Sequence, residues 1–192
     1  LLALQGLRYQ GEVSAGQKIL INGAGGGVGP IALQYAKYRG AEVTCVDSAD
    51  KFDLLHSLGA DHLLDFRKED YTKTGIQYDK ILDVIANRTV SDYKRALKPG
   101  GIFSMIGGSM GWLLIQMMTR TVIPFKGSKK VGIMGYKPNR KDLDYLVQLC
   151  EEGNVIPVVD RSFDLAEIFD AFRYFMDGKF KGKIIISVRH SV

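Results

Sequence analysis

The chain has 192 residues, which is enough for one domain with a hydrophobic core. Apolar residues make up 46% and charged residues 24% of it, a balance that is typical of globular proteins and excludes a disordered chain. The net charge of +5 is spread without interleaved aromatic residues, and no apolar run reaches the ~18 residues of a membrane helix, so we expect neither a nucleic acid nor a membrane as partner.

Short apolar runs alternate with helical patterns through the first hundred residues. The runs predict strands, and the patterns with a period near 3.6 predict helices between them. Strands that alternate with helices at short spacing need crossover connections, so we expect them to lie parallel with helices on both faces of the sheet. The predicted strands are 18–22, 42–47, 62–66, 79–85 and 101–106, the predicted helices are 28–38, 50–58 and 89–97, and a turn is predicted at 99–101.

The pattern loosens after Gly108, although elements of the same kinds continue. A helix is predicted over 111–122, a sixth strand over 130–135, helices over 140–152 and 164–176, and a last strand over 183–188. Neither a repeat nor a low-complexity linker interrupts the chain. A single, doubly wound, parallel α/β sheet of six strands with helices on both faces is the simplest prediction.

A glycine-rich turn joins the first strand to the first helix, reading Asn-Gly-Ala-Gly-Gly-Gly-Val-Gly over 22–29. Backbone N–H groups at the start of a helix bind phosphate, and glycines let the anion come close. In the fingerprint G-x-G-x-x-G the three small positions are Ala24, Gly26 and Gly29, with Ala24 as a mild departure. Gly26 would admit the pyrophosphate and Gly29 would let the helix pack on the strand. Together with Gly27 and Val28, these residues predict the dinucleotide site of a Rossmann-type fold.

Asp47 ends the second predicted strand, 18 residues after Gly29. A carboxylate at this place can accept hydrogen bonds from both ribose hydroxyls of a dinucleotide. Asp47 could also cap the helix that starts near Asp50, and the two roles are compatible. A phosphate-loop NTPase is disfavoured because no Gly-Lys-Ser/Thr follows the glycines.

Several stretches together resemble the medium-chain dehydrogenase/reductase superfamily, especially its zinc-free quinone oxidoreductase branch. The resemblance spans nearly the whole chain, and its motifs are GAGGGVG at 23–29, ALQYAK at 32–37, GAEVT at 40–44, SLGAD at 57–61, LKPGG at 97–101 and GKIII at 182–186.

The resemblance implies that 1–192 is a cofactor-binding domain, with 1–12 as the end of the helix that leads into it. It implies a catalytic, β-rich GroES-like domain upstream, a small-molecule substrate in the cleft between the domains, and hydride transfer between NAD(P)H and a quinone, enone or carbonyl. No zinc is expected, because this branch lacks it and the chain has no Cys/His cluster for a structural zinc. One metal ligand of the zinc-dependent relatives would fall at or just before Leu1, so the sequence does not test that ligand directly.

The same resemblance implies that the ends of the fourth and fifth strands flank the nicotinamide. Ligands of open α/β sheets bind at this carboxyl edge, around the point where the strand order reverses. A simple turn at Gly107–Gly108 and ordinary core positions for Ile133 and Met134 are the alternatives. The expected residues are Ile85 and Asn87 after the fourth strand, Ile106, Gly107 and Gly108 after the fifth, and Ile133 in the sixth.

The choice between NADH and NADPH rests on residues near the second strand. Asp47 would repel a 2′-phosphate and favours NADH. Ser48 and Lys51 could bind that phosphate, and Lys183 near the end of the chain is a further candidate cation. Quinone oxidoreductases of this kind mostly use NADPH and many lack an acid at the position of Asp47. We predict NADH, with NADPH as the alternative.

The sequence names no catalytic acid or base. His56, His62 and His190 are isolated, so surface or structural roles are expected for them. Two other classes stay open: a non-catalytic NAD(P)H-binding module that senses redox state, and a methyltransferase, which also has a glycine-rich first turn and an acid after its second strand. The additional motifs and the six-strand pattern count against the methyltransferase.

The oligomeric state and the location are predicted from an apolar edge segment and from the cysteines. Relatives pair edge strands of this domain across a two-fold axis, and the apolar segment near 130–136 predicts such a homodimer. The run at 112–115 could cover the cleft, contact the other domain or lie in the interface. Cys45 and Cys150 lie far apart and suggest no disulfide framework, so a reducing compartment, the cytoplasm, is expected.

Overall fold

The computed structural model of the protein describes residues 1–108, 111, 130–133 and 135–188, with only the backbone of 130–133. The predicted helix over 111–122, Met134 and His190 therefore fall wholly or mostly outside the described residues. The described strands are β1 Lys18–Asn22, β2 Glu42–Asp47, β3 His62–Asp65, β4 Tyr78–Asp83, β5 Leu97–Met105, β6 Lys130–Ile133, β7 Val159–Asp164 and β8 Lys183–Ser187. The described helices are α1 Leu2–Arg8, α2 Gly29–Tyr38, α3 Phe52–Ser57, α4 Val90–Ala96, α5 Arg140–Glu151 and α6 Ile168–Met176.

The main sheet is parallel, with the strand order β3-β2-β1-β4-β5-β6. Strands β1 to β5 confirm the predicted parallel α/β sheet, and the short β6 extends it at the edge beside β5. The order reverses between β1 and β4, so the crossovers after these two strands leave on opposite sides. This opens a crevice at the carboxyl ends of β1 and β4, which is where such sheets bind ligands.

Both faces of the main sheet are buried, which explains why its strands read as continuous apolar runs. Ile19 and Ile21 pack on one face with α1 and α2, and Leu20 packs on the other with α4. The second face is rich in aromatic rings, and the Tyr93 and Phe103 centroids lie 4.0 Å apart. Among the described residues, no helix is long and apolar enough to cross a membrane.

The prediction of a single sheet is wrong at the end of the chain. The last strand, β8, does not join the main sheet but pairs in parallel with β7, and α6 forms the crossover between them. Sequence reasoning missed β7 because its residues, Val-Asp-Arg-Ser-Phe-Asp, are mostly polar and exposed, with only Phe163 buried. A strand of this kind lacks the apolar pattern by which strands are predicted.

The turn predicted at 99–101 is also wrong, because β5 begins at Leu97 and runs through it. A register shift between Tyr78 and Lys80 on β4 accommodates the extra residues, and Gly100 adopts a φ of +77°. The Pro-Gly-Gly segment therefore forms an irregular stretch of the strand, between the pairing of Leu97 with Tyr78 and that of Ile102 with Lys80.

Candidate functional site

The glycine-rich turn lies at the carboxyl end of β1 and leads into α2. Gly23 has a φ of +80°, a conformation that glycine adopts without strain, and its N–H donates to the Val46 carbonyl oxygen at 3.0 Å. Ala24 is fully buried and its N–H donates to the same carbonyl oxygen at 3.3 Å. These bonds fasten the start of the turn to β2, while Gly27 and Val28 stay half-buried at the start of α2.

Two glycines of the turn are needed for different reasons. A Cβ on Gly29 would lie 2.1 Å from the Ala24 carbonyl oxygen, so only glycine lets α2 approach β1 this closely. A Cβ on Gly26 would meet nothing nearer than the Gly23 carbonyl oxygen at 3.6 Å. The protein itself therefore does not require glycine at 26, which fits a position kept bare for a ligand to approach.

Asp47 lies beside this turn and already has several partners. Its Oδ2 accepts from the Gly25 N–H at 2.7 Å, and its Oδ1 accepts from the Ser48 N–H at 2.8 Å. The Lys51 Nζ lies 3.4 Å from Oδ1, and both side chains of this ion pair are less than a tenth exposed. Asp47, Ser48 and Lys51 thus come together as predicted. The Ser48 hydroxyl also lies 3.4 Å from Oδ1, so three of the four partners are on that oxygen. A second lone pair of Oδ2, beside the bond from Gly25, could accept from a ribose hydroxyl.

Gly25 is a member of the site that sequence reasoning did not single out. A Cβ there would lie 2.5 Å from Cδ of Lys51, so glycine leaves room for the lysine stem to cross the turn. Its carbonyl oxygen accepts from the Gly182 N–H at 3.1 Å. The glycine run itself was the available signal, but the fingerprint assigns no role to this position.

The segment before β8 lies against the glycine-rich turn. The Lys183 Nζ would be 3.5 Å from a Cβ on Gly27, and the Phe180 ring centroid is 5.5 Å from the Lys51 Nζ. Lys183, Gly27 and Val28 line one cavity of about 340 Å³ together with Tyr136 and the first residues of α1. Lys51 and Lys183, which are far apart in the sequence, therefore both place a positive charge near the turn.

The ends of β4 and β5 border the same crevice from the other side. Ile85 is half exposed and its side chain would contact a Cβ on Gly23 at 3.1 Å. A Cβ on Gly107 would lie 2.3 Å from the Val84 carbonyl oxygen, so the packing of the chain itself requires glycine there. A contact of Gly107 with the nicotinamide stays a prediction. Asn87 and Gly108 are exposed nearby.

Two other residues that are predicted to contact the nicotinamide, Ile106 and Ile133, have different surroundings. Ile106 is half-buried, and its Cδ1 would lie 2.7 Å from a Cβ on Gly6 in α1, so it packs against that helix. Ile133 pairs with Met105 at the edge strand, and the structure describes its backbone only. A contact of either residue with a nicotinamide ring stays a prediction.

Asp83, the last residue of β4, is a buried polar residue that sequence reasoning missed. It is 0% exposed, and its carboxylate accepts five hydrogen bonds within the protein. The signal that could have found it is an acid that ends an apolar strand next to the point of reversal. Its partners come from four different segments, which no local pattern reveals.

Histidines and cysteines do not gather at the crevice. His62 contacts Glu42 on the surface, with 2.8 Å between Nε2 and Oε1, and His56 is exposed. Cys45 is buried in the core, where burial raises the pKa of its thiol well above the ordinary value. Within the described ranges, no group of three or more His, Cys, Asp or Glu side chains could hold a metal ion. The expectation that zinc is absent stays a prediction.

Comparisons with known proteins agree with this geometry. A family model described as zinc-binding dehydrogenase matches residues 58–186, more than half of the chain. A zinc-type alcohol dehydrogenase-like protein of Schizosaccharomyces pombe is 30% identical over 97% of this chain and 56% of its own length. A 2-methylene-furan-3-one reductase of Solanum lycopersicum is 32% identical over 96% of this chain and 43% of its own length. The chain thus spans about half the length of these relatives.

A solved structure supports the same relationship. The quinone oxidoreductase from Coxiella burnetii superposes with a TM-score of 0.83 at 26% identity, covering 98% of this chain and 57% of that one. The chain therefore belongs to the zinc-binding dehydrogenase family, and it is a cofactor-binding domain of the medium-chain dehydrogenase/reductase superfamily.

Proposed function

We propose that this chain is the NAD(P)H-binding domain of an oxidoreductase that moves a hydride between nicotinamide and a quinone, enone or carbonyl. The observation that carries the proposal is the glycine-rich turn at the start of α2, with Asp47 on the neighbouring strand end. Gly29 allows the close packing that the fingerprint requires, and Gly26 is bare on a surface that its own fold leaves open. Backbone N–H groups there suit a pyrophosphate.

The chain contributes position rather than proton chemistry. A bound nicotinamide supplies the hydride, and the protein orients it and excludes water. The turn would hold the pyrophosphate, Asp47 the adenosine ribose, and the ends of β4 and β5 the nicotinamide. The relatives' names, a quinone oxidoreductase, a furanone reductase and an alcohol dehydrogenase-like protein, support a substrate with a polarised carbonyl or conjugated double bond.

NADH is the proposed cofactor, although Lys51 weakens the preference. Asp47 would repel a 2′-phosphate at close range, since like charges a few ångströms apart disfavour one another. Lys51 lies 3.4 Å from the same carboxylate and offsets part of that repulsion. The pair is therefore closer to neutral than an isolated acid, and we expect NADPH to bind as well, but less tightly.

The catalytic domain is proposed to lie against β7, α6 and β8. Helix α6 exposes large apolar side chains, with Phe169 76% and Met176 79% exposed. An apolar groove of about 220 Å³ runs between α6 and β8, lined by Phe172, Phe175 and others. Exposed apolar surface of this size marks a contact, and the relatives carry nearly half their length outside the matched part. We therefore propose that this additional domain occupies the groove.

A homodimer through the edge strand near 130–136 and a cytoplasmic location are also proposed. The first rests on β6, which ends the main sheet in the described part of the chain, because a sheet edge needs cover. The second rests on the cysteine usage of the chain.

Cofactor binding by the chain itself tests the proposal. Titration with NADH, followed by nicotinamide fluorescence, should saturate, and Gly26→Ala should raise the Kd at least about tenfold because a methyl group would stand where the pyrophosphate approaches. The melting temperature of this variant should change little, since its Cβ has room.

Two further variants serve as controls. Asp53→Ala removes an exposed carboxylate on α3 and should leave the Kd unchanged. Gly29→Ala should lower the melting temperature through its clash with the Ala24 carbonyl. If the wild-type chain binds neither NADH nor NADPH, the proposed function is wrong. Binding without turnover by the full-length protein would favour the redox-sensing module.

A further inference from the structure

The carboxylate of Asp83 joins segments that meet at the reversal point of the sheet. Its Oδ1 accepts from the Asn22 Nδ2 at 2.9 Å, and Asn22 is the residue before the glycine-rich turn. The same oxygen accepts from the N–H groups of Ile85 at 3.0 Å and Ala86 at 2.7 Å. One buried oxygen therefore binds the end of β1 and the turn that follows β4.

The turn after β4 needs this support because its backbone is unusual. Ala86 has a φ of +38°, a region that residues with a side chain seldom adopt, and it is almost fully buried. Such conformations persist where the surrounding structure over-determines them. Here the Ala86 N–H is held by the Asp83 carboxylate at 2.7 Å, the shortest of its five bonds.

This turn packs tightly against both neighbouring turns. The Val84 N–H donates to the Asn22 carbonyl oxygen at 3.0 Å, and the Ile85 and Val84 side chains would crowd a Cβ on Gly23, at 3.1 Å and 3.3 Å. On the other side, the Val84 carbonyl oxygen occupies the place of a Cβ on Gly107. A shift of the turn would therefore move the walls of the crevice between β1, β4 and β5.

Two tyrosines donate to the second oxygen of the Asp83 carboxylate, and Tyr93 also contacts the backbone of the turn. The hydroxyls of Tyr93 and Tyr71 donate to Oδ2 at 2.9 Å and 3.3 Å. Burial, together with the charge of Asp83, raises the pKa of both hydroxyls far above the ordinary value, so both remain donors. The Tyr93 oxygen also accepts from the Arg88 N–H at 3.1 Å, which ties it to the far end of the same turn.

We infer that Asp83 is a positioning residue for the nicotinamide end of the dinucleotide. Tyr93 connects Asp83 to the far end of the turn from Val84 to Arg88, because its hydroxyl donates to the carboxylate and accepts from the Arg88 N–H. The inference rests on the proposed function. Asp83 fixes the wall of the crevice and touches no ligand itself, since it is completely buried. The adenosine end lies by Asp47 on β2, two strands away from β4, or about 10 Å.

The test compares two ligands on the full chain. NADH reaches both ends of the site, whereas ADP-ribose lacks the nicotinamide. Tyr93→Phe removes a donor to Asp83 and an acceptor for the turn, and we expect it to raise the Kd of NADH about fivefold to tenfold. The Kd of ADP-ribose, measured by calorimetry, should change less than about twofold, because the adenosine half does not contact the turn.

Tyr71→Phe is the matched control, since it removes a donor to the same oxygen without touching the turn backbone. It should change the Kd of NADH less than about twofold. Equal weakening of NADH and ADP-ribose by Tyr93→Phe, no weakening of either, or equal effects of the two tyrosine variants would each overturn the inference while wild-type binding still supports the proposed function. Failure of the wild-type chain to bind NADH would instead refute the proposed function, and the inference with it.

Discussion

Asp47 and Asp83 end neighbouring parts of the same sheet edge, yet they are stabilised in different ways. Asp47 ends β2, and its partners are two backbone N–H groups, the Ser48 hydroxyl and the Lys51 ammonium. Asp83 ends β4, and its five bonds come from uncharged donors. A lysine on a flexible stem can exchange partners when an anion arrives, whereas a fully buried, fully bonded carboxylate cannot. We therefore expect Asp47 and Lys51 to determine which cofactor is preferred, and Asp83 to maintain the shape of the crevice.

The largest expected effect tests whether Asp83 maintains the structure of the crevice. Asp83→Ala leaves several buried donors without an acceptor and should lower the free energy of unfolding by about 3 kcal/mol or more. Urea denaturation measures this. Asp53→Ala removes an exposed carboxylate on α3 and should change it by less than about 0.5 kcal/mol. A small loss for Asp83→Ala would remove the distinction between the two carboxylates.

The next effect tests whether Asp47 determines the preference for NADH over NADPH. Asp47→Ser removes the charge that opposes a 2′-phosphate and frees Lys51 to bind it, so the ratio of the NADH and NADPH dissociation constants should shift about tenfold towards NADPH, or about 1.4 kcal/mol. Titrations of both cofactors measure the ratio, and Asp53→Ser on α3 should leave it unchanged. Unaltered relative affinities in Asp47→Ser would show that this carboxylate does not select the cofactor.

The smallest effect concerns the far end of the Asp83 turn, where Thr89 caps α4. Its hydroxyl accepts from the Asp92 N–H, and the Asp92 carboxylate accepts from the Thr89 N–H, which completes a capping box. The Thr89 hydroxyl also donates to the Asp92 carboxylate. Thr89→Ala should lower the free energy of unfolding by about 1 kcal/mol at neutral pH. A loss as large as that of Asp83→Ala would mean that the turn is held equally at both ends.

Acid should reduce this contribution. The hydrogen bond from the Thr89 hydroxyl lowers the pKa of Asp92 below its ordinary value of 3.8, an effect that burial opposes. Because the pKa is lower in the folded state, the stabilisation is complete above the unfolded pKa and disappears as the pH falls through the folded one. The difference between wild type and Thr89→Ala in urea denaturation should therefore shrink below about pH 4. A difference that is constant with pH would contradict this reading.

The sequence predicts the central part of this fold well, for physical reasons. β1 and β2 are buried on both faces and read as apolar runs, and the bounds of both are confirmed. The glycine-rich turn and Asp47 are local to these strands, so they could be placed without knowing the fold. Ser48 and Lys51 follow on the next residues, which is why they too were found.

What the sequence missed depends on contacts between distant segments. Asp83 becomes informative only when Asn22, Tyr71 and Tyr93 converge on it, and no local spacing encodes that. β7 is polar and exposed, so only its pairing with β8 identifies it as a strand. Gly25 has a role because Lys51 crosses it and the segment before β8 touches it.

The bond between the Gly182 N–H and the Gly25 carbonyl oxygen has a consequence for the synthesis of the protein. A ribosome adds more than 150 residues after Gly25 before it reaches Gly182, so the turn is synthesised long before the segment that lies on it. Contacts between such distant residues also form slowly. A nascent chain released before residue 182 would carry the main sheet but an uncovered turn, and its affinity for dinucleotide would report on how far translation had gone.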